Sequence, residues 1–149
     1  MTEFLEFTLD KFTFKVAADR VYSTEGVWAK ENGEQIILGM SDYLQQRSGD
    51  IAFAEVVQAG TAVAAGEPLA DIETIKADLE LATPVSGTVQ AVSEKMDFEP
   101  EIINQDPYEE GWMAIILASN WASEQTNLLS PEAYLEQIKS EAEEEIAEL

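Results

Sequence analysis

Asp71-Ile72-Glu73-Thr74-Ile75-Lys76-Ala77-Asp78-Leu79-Glu80-Leu81 is the stretch on which the reading of this chain turns. Lys76 stands midway between two turn signals, Ala65-Gly66-Glu67-Pro68 before it and Pro84-Val85-Ser86-Gly87 after it. Gly and Pro interrupt regular structure, so these clusters bound what lies between them. Segments 69–74 and 78–82 are each of strand length. Ile72 alternates with Asp71 and Glu73, and Leu79 and Leu81 alternate with Asp78 and Glu80. A period of two is the mark of half-buried strands. The simplest geometry is a hairpin with Ile75-Lys76-Ala77 at its tip.

Lys76 is the only basic residue between Arg47 and Lys95, and four carboxylates surround it in sequence. Carboxylates favour the charged ammonium. A lysine that attacks carbonyls as a free amine needs a dry or cationic setting instead. Two readings follow: a solvated turn residue, or a site whose hairpin is read by a modifying enzyme.

Glu73-Thr74-Ile75-Lys76-Ala77 followed by Pro84-Val85-Ser86-Gly87 resembles the lipoylation site of H proteins, the lipoyl carriers of the glycine cleavage system. The likeness continues in Gly39-Met40-Ser41-Asp42-Tyr43, Gly49-Asp50-Ile51 and Gly66-Glu67-Pro68. It continues again in Ile103-Asn104-Gln105-Asp106-Pro107-Tyr108 and Glu110-Gly111-Trp112, and covers roughly residues 22–138. The resemblance implies lipoic acid in amide linkage on Lys76, with Glu73, Thr74, Ile75 and Ala77 as its hairpin context. It also implies a non-catalytic carrier. The long flexible arm would visit one active site and deliver to another, tethering replacing bimolecular encounter.

Composition limits the alternatives. A chain of 149 residues with 46% hydrophobic content suits one domain with a substantial core. No apolar run approaches the ~20 residues of a membrane span. The start, Met1-Thr2-Glu3-Phe4-Leu5-Glu6-Phe7, has no basic region ahead of an apolar one, so the expectation is a cytoplasmic protein without a signal or presequence. There are no cysteines and no histidines. That excludes disulfides and thiol or histidine-assisted nucleophiles, and argues against zinc. Asp97-Phe98-Glu99-Pro100-Glu101 lacks the oxygen spacing of a calcium loop, so no metal is expected. A net charge of −22 opposes nucleic acid and anionic membranes and favours basic protein partners.

Along the chain, residues 1–20 read as an extension holding one extended segment, with Phe12 and Phe14 on one side. Strands are expected at 27–30 and 35–39 about Asn32-Gly33, then a short helix capped by Ser41 and ended by Gly49. Strands follow at 51–57, with Phe53 and Val57 on one face, at 87–92 and at 112–117. Residues 94–101 read as polar and broken by Pro100, and Ile102-Ile103 leads into a loop. Trp28, Trp112 and Trp121 read as core or rim residues. Many short strands with frequent turns give a mainly β protein. The resemblance sharpens this to a flattened barrel-sandwich hybrid of the lipoyl-domain type, with short peripheral helices. The expected division is an extension at 1–20, a carrier core at 21–122 and an acidic C-terminal helix within 123–149. Ser130-Pro131 starts that helix, and Tyr134, Leu135, Ile138, Ala142 and Ile146 fall at helical spacing. It is expected to be a solvated helix that frays after Glu141, the alternative being a partner-docking surface.

One motif departs from the glycine-cleavage pattern. H proteins usually read His-Glu-Trp where this chain has Gly26-Val27-Trp28. In that family the carboxylate lies in the cleft that shelters the arm carrying an aminomethyl group, where a charge-assisted hydrogen bond to the amine makes sense. Val27 cannot make that bond; Glu25 and Glu80 are the remaining acids assigned to an arm cleft. The altered motif, the N-terminal segment and the excess acid fit better the H-protein-like lipoate-binding proteins of bacterial sulfur oxidation. Those work with a heterodisulfide-reductase-like complex. The alternative is the glycine cleavage role, between glycine decarboxylase, aminomethyltransferase and dihydrolipoamide dehydrogenase. A lipoylating enzyme is implied on either reading. A biotinyl carrier is disfavoured because such sites usually flank the lysine with Met, and Ile75 and Ala77 stand here. An unmodified scaffold is the remaining class.

Overall fold

A computed structural model describes residues 2–147 of the chain. The Lys76 hairpin is formed by β8 (Pro68–Thr74) and β9 (Asp78–Ala82). Ile72 lies opposite Leu79 and Glu73 opposite Asp78. Ile72 and Leu81 are buried while Asp71, Glu73, Asp78 and Glu80 are exposed, so the alternation seen in the sequence sets the face. With β6 (Ile51–Val56) these strands make a three-stranded antiparallel sheet in the order β6-β8-β9.

A six-stranded sheet faces it. It uses β3 (Val21–Tyr22), β4 (Val27–Asn32), β5 (Gln35–Met40), β7 (Ala62–Val63), β10 (Gly87–Val92) and β11 (Ala114–Ala118). Their order is β3-β4-β5-β11-β10-β7, and all pairs are antiparallel. The apolar core between the sheets joins Ile36, Leu38 and Ile116 of the large sheet to Leu69, Ile72 and Leu81 of the small one. The sheet ends at β3 and β7 without closing, which gives a mainly β sandwich with a C-terminal helix.

A second core lies outside the sandwich. Residues expected as one extended segment form a hairpin of their own, β1 (Phe4–Leu9) and β2 (Phe12–Ala17). Asp10 turns it with φ of 58°, a left-handed conformation that Asp tolerates better than most residues. Helix α5 (Pro131–Ala147) packs on this hairpin. Ser130 caps α5 as its sequence suggests, its hydroxyl accepting from the Ala133 N–H at 3.1 Å. Phe14, Tyr22, Trp28, Tyr43, Tyr134 and Ile138 fill the space between. Helix α5 runs on past Glu141, where Ala142 is buried in this second core. Ile146 falls outside the described side chains.

Short peripheral helices are present as expected, and the structure places two that the sequence left unassigned. Helix α1 (Asp42–Ser48) starts at Ser41 as expected, and further helices lie at 95–98 and 102–105. Helices α2 (Lys95–Phe98) and α3 (Ile102–Gln105) each bury one apolar residue, Met96 and Ile103. A further turn of helix, α4 (Trp121–Glu124), leads towards α5. Phe53 is half exposed, because the pairing of β6 with β8 slips between Ile51 and Phe53 and re-aims the alternation. Trp28 is fully buried, while Trp112 and Trp121 are half-buried.

Candidate functional site

Thr74 organises the hairpin tip. Its hydroxyl donates to the Ala77 carbonyl at 2.9 Å. The same oxygen accepts from the N–H groups of Lys76 at 3.2 Å and Ala77 at 3.1 Å. The backbone N–H of Thr74 also donates to the Ala77 carbonyl, at 2.9 Å. A Thr at this place can close a three-residue tip because its short hydroxyl reaches the backbone two and three residues on.

A second brace comes from below. The Ile75 N–H donates to the Asp50 carbonyl at 3.2 Å. Asn104 of α3 fixes the loop that presents this carbonyl. Its amide donates to Gly49 O at 3.0 Å and to Gln45 Oε1 at 3.0 Å, and its oxygen accepts from Ile51 N–H at 2.9 Å. Gly49 adopts φ of +88°, where a side chain is strained. The Lys76 stem lies over it: a Cβ on Gly49 would sit 3.5 Å from Lys76 Cε. The chain of contacts runs from α3 through loop 49–51 to the tip.

Lys76 itself is exposed, beside an Ile75 that is 75% exposed. Among the described residues Lys76 makes no ion pair. The carboxylates nearby lie on the strands. Register sets Asp71 between Glu55 and Glu80, and Glu73 opposite Asp78. Like charges placed opposite one another cost stability, so this acidic face does not exist to hold the sheet together. Among the described residues no cluster of three or more His, Cys, Asp or Glu is placed to hold a metal ion.

The residues assigned to an arm cleft are not brought together by any hydrogen bond or ion pair among the described residues. Val27 is fully buried in the sandwich core, and its side chain packs rather than faces an arm. Glu25 is exposed in the turn between β3 and β4, and Glu80 is exposed on β9. Thr74 and Lys76 were legible as motif members. The clamp by Asn104 was not, though Asn104 stands inside a motif quoted for its likeness.

Known proteins match this chain and its fold. The family model described as Glycine cleavage H-protein matches residues 20–141. A glycine cleavage system H protein of Rubrobacter xylanophilus is 38% identical over 127 residues, 85% of this chain and 98% of that protein. One from Halalkalibacterium halodurans is 40% identical over 120 residues, 80% of this chain and 93% of that protein. The crystal structure of a glycine cleavage system H protein from Mycobacterium marinum shares the fold, with a TM-score of 0.72 at 24% identity. It covers 82% of this chain and 98% of its own. No helix among the described residues is long and apolar enough to cross a membrane. The chain therefore belongs to the glycine cleavage H-protein family, whose members are non-catalytic carriers of a lipoic acid bound covalently to a lysine.

Proposed function

We propose that Lys76 is the lysine that carries the lipoyl group, and that the protein serves as the H protein of a glycine cleavage system. The observation that carries the reading is the tip itself: an exposed lysine, without an ion pair among the described residues, on a three-residue turn closed by the Thr74 hydroxyl. The residues fit the group. The lysine has no ion pair to break among the described residues, and its backbone is held from two sides. Lipoate supplies a dithiol–disulfide couple, able to accept a group on sulfur and pass it on, which a chain without cysteine lacks.

The chain's own residues do three things in this reading. Thr74 and Asp50 hold the tip in one shape for the lipoylating enzyme, which lowers the ordering cost of recognition. The acidic strand face steers basic partner surfaces towards the tip. The sandwich serves as a rigid mount, residues 21–122 forming the carrier core and the segments on either side building the second layer. The same charge, −22, disfavours nucleic acid and anionic membranes, in keeping with a cytoplasmic carrier.

Partners on this reading are glycine decarboxylase, aminomethyltransferase and dihydrolipoamide dehydrogenase. The relatives weigh for the glycine role, against the sulfur role that the Gly26-Val27-Trp28 motif favoured on sequence alone. One observation keeps the second reading in view. Val27 leaves no carboxylate at the motif's central position, so an amine there has no partner from that residue. That suits a carrier for sulfur oxidation with a heterodisulfide-reductase-like complex. The deciding test supplies the lipoylated protein to glycine decarboxylase with glycine. Loading at a rate comparable to an H protein with His-Glu-Trp supports the glycine role. No loading, with the lipoyl group present by mass, moves the assignment to the sulfur branch.

A further inference from the structure

The hairpin of β1 and β2 lies outside the segment that the family model matches, which begins at residue 20. Its two edges differ. The Ala18 N–H donates to the Glu3 carbonyl at 2.8 Å, and the register runs on from there without a slip. Bonded residues alternate along an antiparallel ladder, so Leu5, Phe7 and Leu9 bond to β2. Thr13 and Lys15 then turn their backbone groups to the far side of β2, and Phe4, Glu6 and Thr8 turn theirs to the far side of β1. On the β2 side the groups are capped. Asp42 accepts from the Lys15 N–H at 2.9 Å, the Tyr108 hydroxyl donates to the Lys15 carbonyl at 2.7 Å, and the Gln46 amide donates to the Thr13 carbonyl at 3.0 Å. On the β1 side, no hydrogen bond among the described residues reaches the backbone of Phe4, Glu6 or Thr8.

Proteins commonly guard an open edge with Pro, Lys or a bulge. Strand β1 has none of these over Phe4–Leu9. Its inward row, Leu5, Phe7 and Leu9, stays half-buried although it packs on the second core. A strand without a neighbour leaves such a row uncovered on one side. Charge says which neighbour fits. A chain of net charge −22 repels its own copies over most of its surface. Residues 1–20 are the exception, with four acids against three bases, a net of −1. Within the hairpin the acid of β1, Glu6, already lies opposite Lys15. A basic partner finds little to attract it here, whereas a second copy meets little repulsion.

We propose that β1 pairs antiparallel with β1 of a second copy of this chain, joining two hairpins into one four-stranded sheet. The register follows from the pattern. Outward-bonding residues must meet outward-bonding residues. Two such arrangements overlap the strands by about five residues each. One sets Glu6 against Glu6 of the second copy, where like charges cost stability. The other sets Glu6 against Thr8, Leu5 against Leu9 and Phe7 against Phe7 of the second copy, and is the register proposed. Glu6 and Thr8 then exchange about four backbone hydrogen bonds across the two-fold axis. The half-buried apolar rows come side by side, and the two Phe7 rings meet at a closely spaced, non-bonded position. The contact is isologous, so it closes at two copies, and the sheet then ends on the capped edges of β2. The paired edge is the one turned away from α1, so each copy keeps its own Lys76 hairpin. The pairing does not depend on lipoylation of Lys76.

The test is the mass of the full chain by sedimentation equilibrium, from about 1 μM to about 1 mM, the range of weak interfaces. One chain weighs 16.4 kDa, and the measured mass should climb towards twice that with concentration. Glu6→Pro removes an outward N–H that makes no bond within the chain, at a place where an edge strand tolerates Pro. It should hold the protein at the one-chain mass throughout, with the urea midpoint unmoved. Thr8→Glu, at an exposed position, sets two like-charge pairs against Glu6 of the opposite copy. It should raise the dissociation constant about fivefold at low salt. Where Glu6→Pro lowers the urea midpoint, Thr8→Glu decides. A one-chain mass at every concentration overturns the proposal and leaves the open edge to an extended segment of another protein. A dimer untouched by a folded Glu6→Pro variant overturns it too, since the contact then lies elsewhere. A dimer as tight in Thr8→Glu as in the unaltered chain overturns the register.

Discussion

Replacing Thr74 by Val tests the claim that a single hydroxyl sets the tip. The substitution keeps the branched shape and removes three hydrogen bonds, one donated to Ala77 O and two accepted from Lys76 and Ala77 N–H. All three are exposed, so water takes up part of the loss. At about 0.5 kcal/mol each, the low end for protein hydrogen bonds, the ordered tip loses about 1.5 kcal/mol. That is roughly a tenfold fall in its population relative to open forms. The assay is the kcat/KM of lipoylation with a purified lipoylating enzyme, expected to fall measurably, by up to about tenfold as the open forms come to dominate. Thr74→Ser, which retains the hydroxyl, should stay within about twofold of the unaltered protein. Hydrogen exchange at the Lys76 and Ala77 amides should quicken in the Val variant alone. Lipoylation of Thr74→Val at the unaltered rate would refute the reasoning, as would a Ser variant as slow as the Val one.

The other consequences are structural. Asn104→Ala removes the clamp on residues 49–51 and leaves the Ile51 N–H without its acceptor, which should cost about 2–4 kcal/mol in urea denaturation at unchanged m-value. Asn104→Asp keeps that acceptor but turns a carboxylate oxygen, which cannot donate, towards the Gly49 and Gln45 oxygens, so it should destabilise as well. Gly39→Ala would set a Cβ 2.5 Å from the Trp28 ring, which is held by hydrogen bonds to Met40 O and Pro107 O. Overpacking of about 1–3 kcal/mol should lower the denaturation midpoint and shift tryptophan emission. Burial raises the Asp19 pKa, but the Arg20 hydrogen bond, the charges of Arg20 and Lys30 and the Thr2 hydroxyl together lower it below its ordinary 3.8. A depressed carboxylate stabilises above its unfolded pKa and loses that contribution as pH falls through the folded value. The stability difference between the unaltered protein and Asp19→Asn should therefore be present at neutral pH and shrink below about pH 4, read by urea titration at each pH.

Local signals carried the hairpin. Alternation at Ile72, Leu79 and Leu81 and the flanking Gly-Pro turns are written within a few residues of Lys76, and the structure uses them directly. The caps of α1 and α5 were legible for the same reason, since Ser41 and Ser130 act on the next turn of chain. Features that depend on distant partners were not. The turn at Asp10 lacks the glycine that marks a tight hairpin, so β1 and β2 merged into one segment. Helices α2 and α3 bury one apolar residue each, too few to display a helical period. A slip of register hid the orientation of Phe53. At the site, spacing put Lys76 at a hairpin tip and the family resemblance singled out Thr74 beside it, whereas Asn104 acts on a loop over fifty positions away in sequence. The cleft assigned to Glu25, Val27 and Glu80 rested on alignment of letters. Alignment places a residue on a strand but does not say that Val27 turns into the core.

The most direct test of the account is the intact mass of the protein purified from its native host, with peptide mapping across residues 72–83. One lipoyl increment is expected, located on Lys76 and absent from Lys76→Arg. An unmodified Lys76 from actively growing cells, or an increment on another lysine, would contradict it.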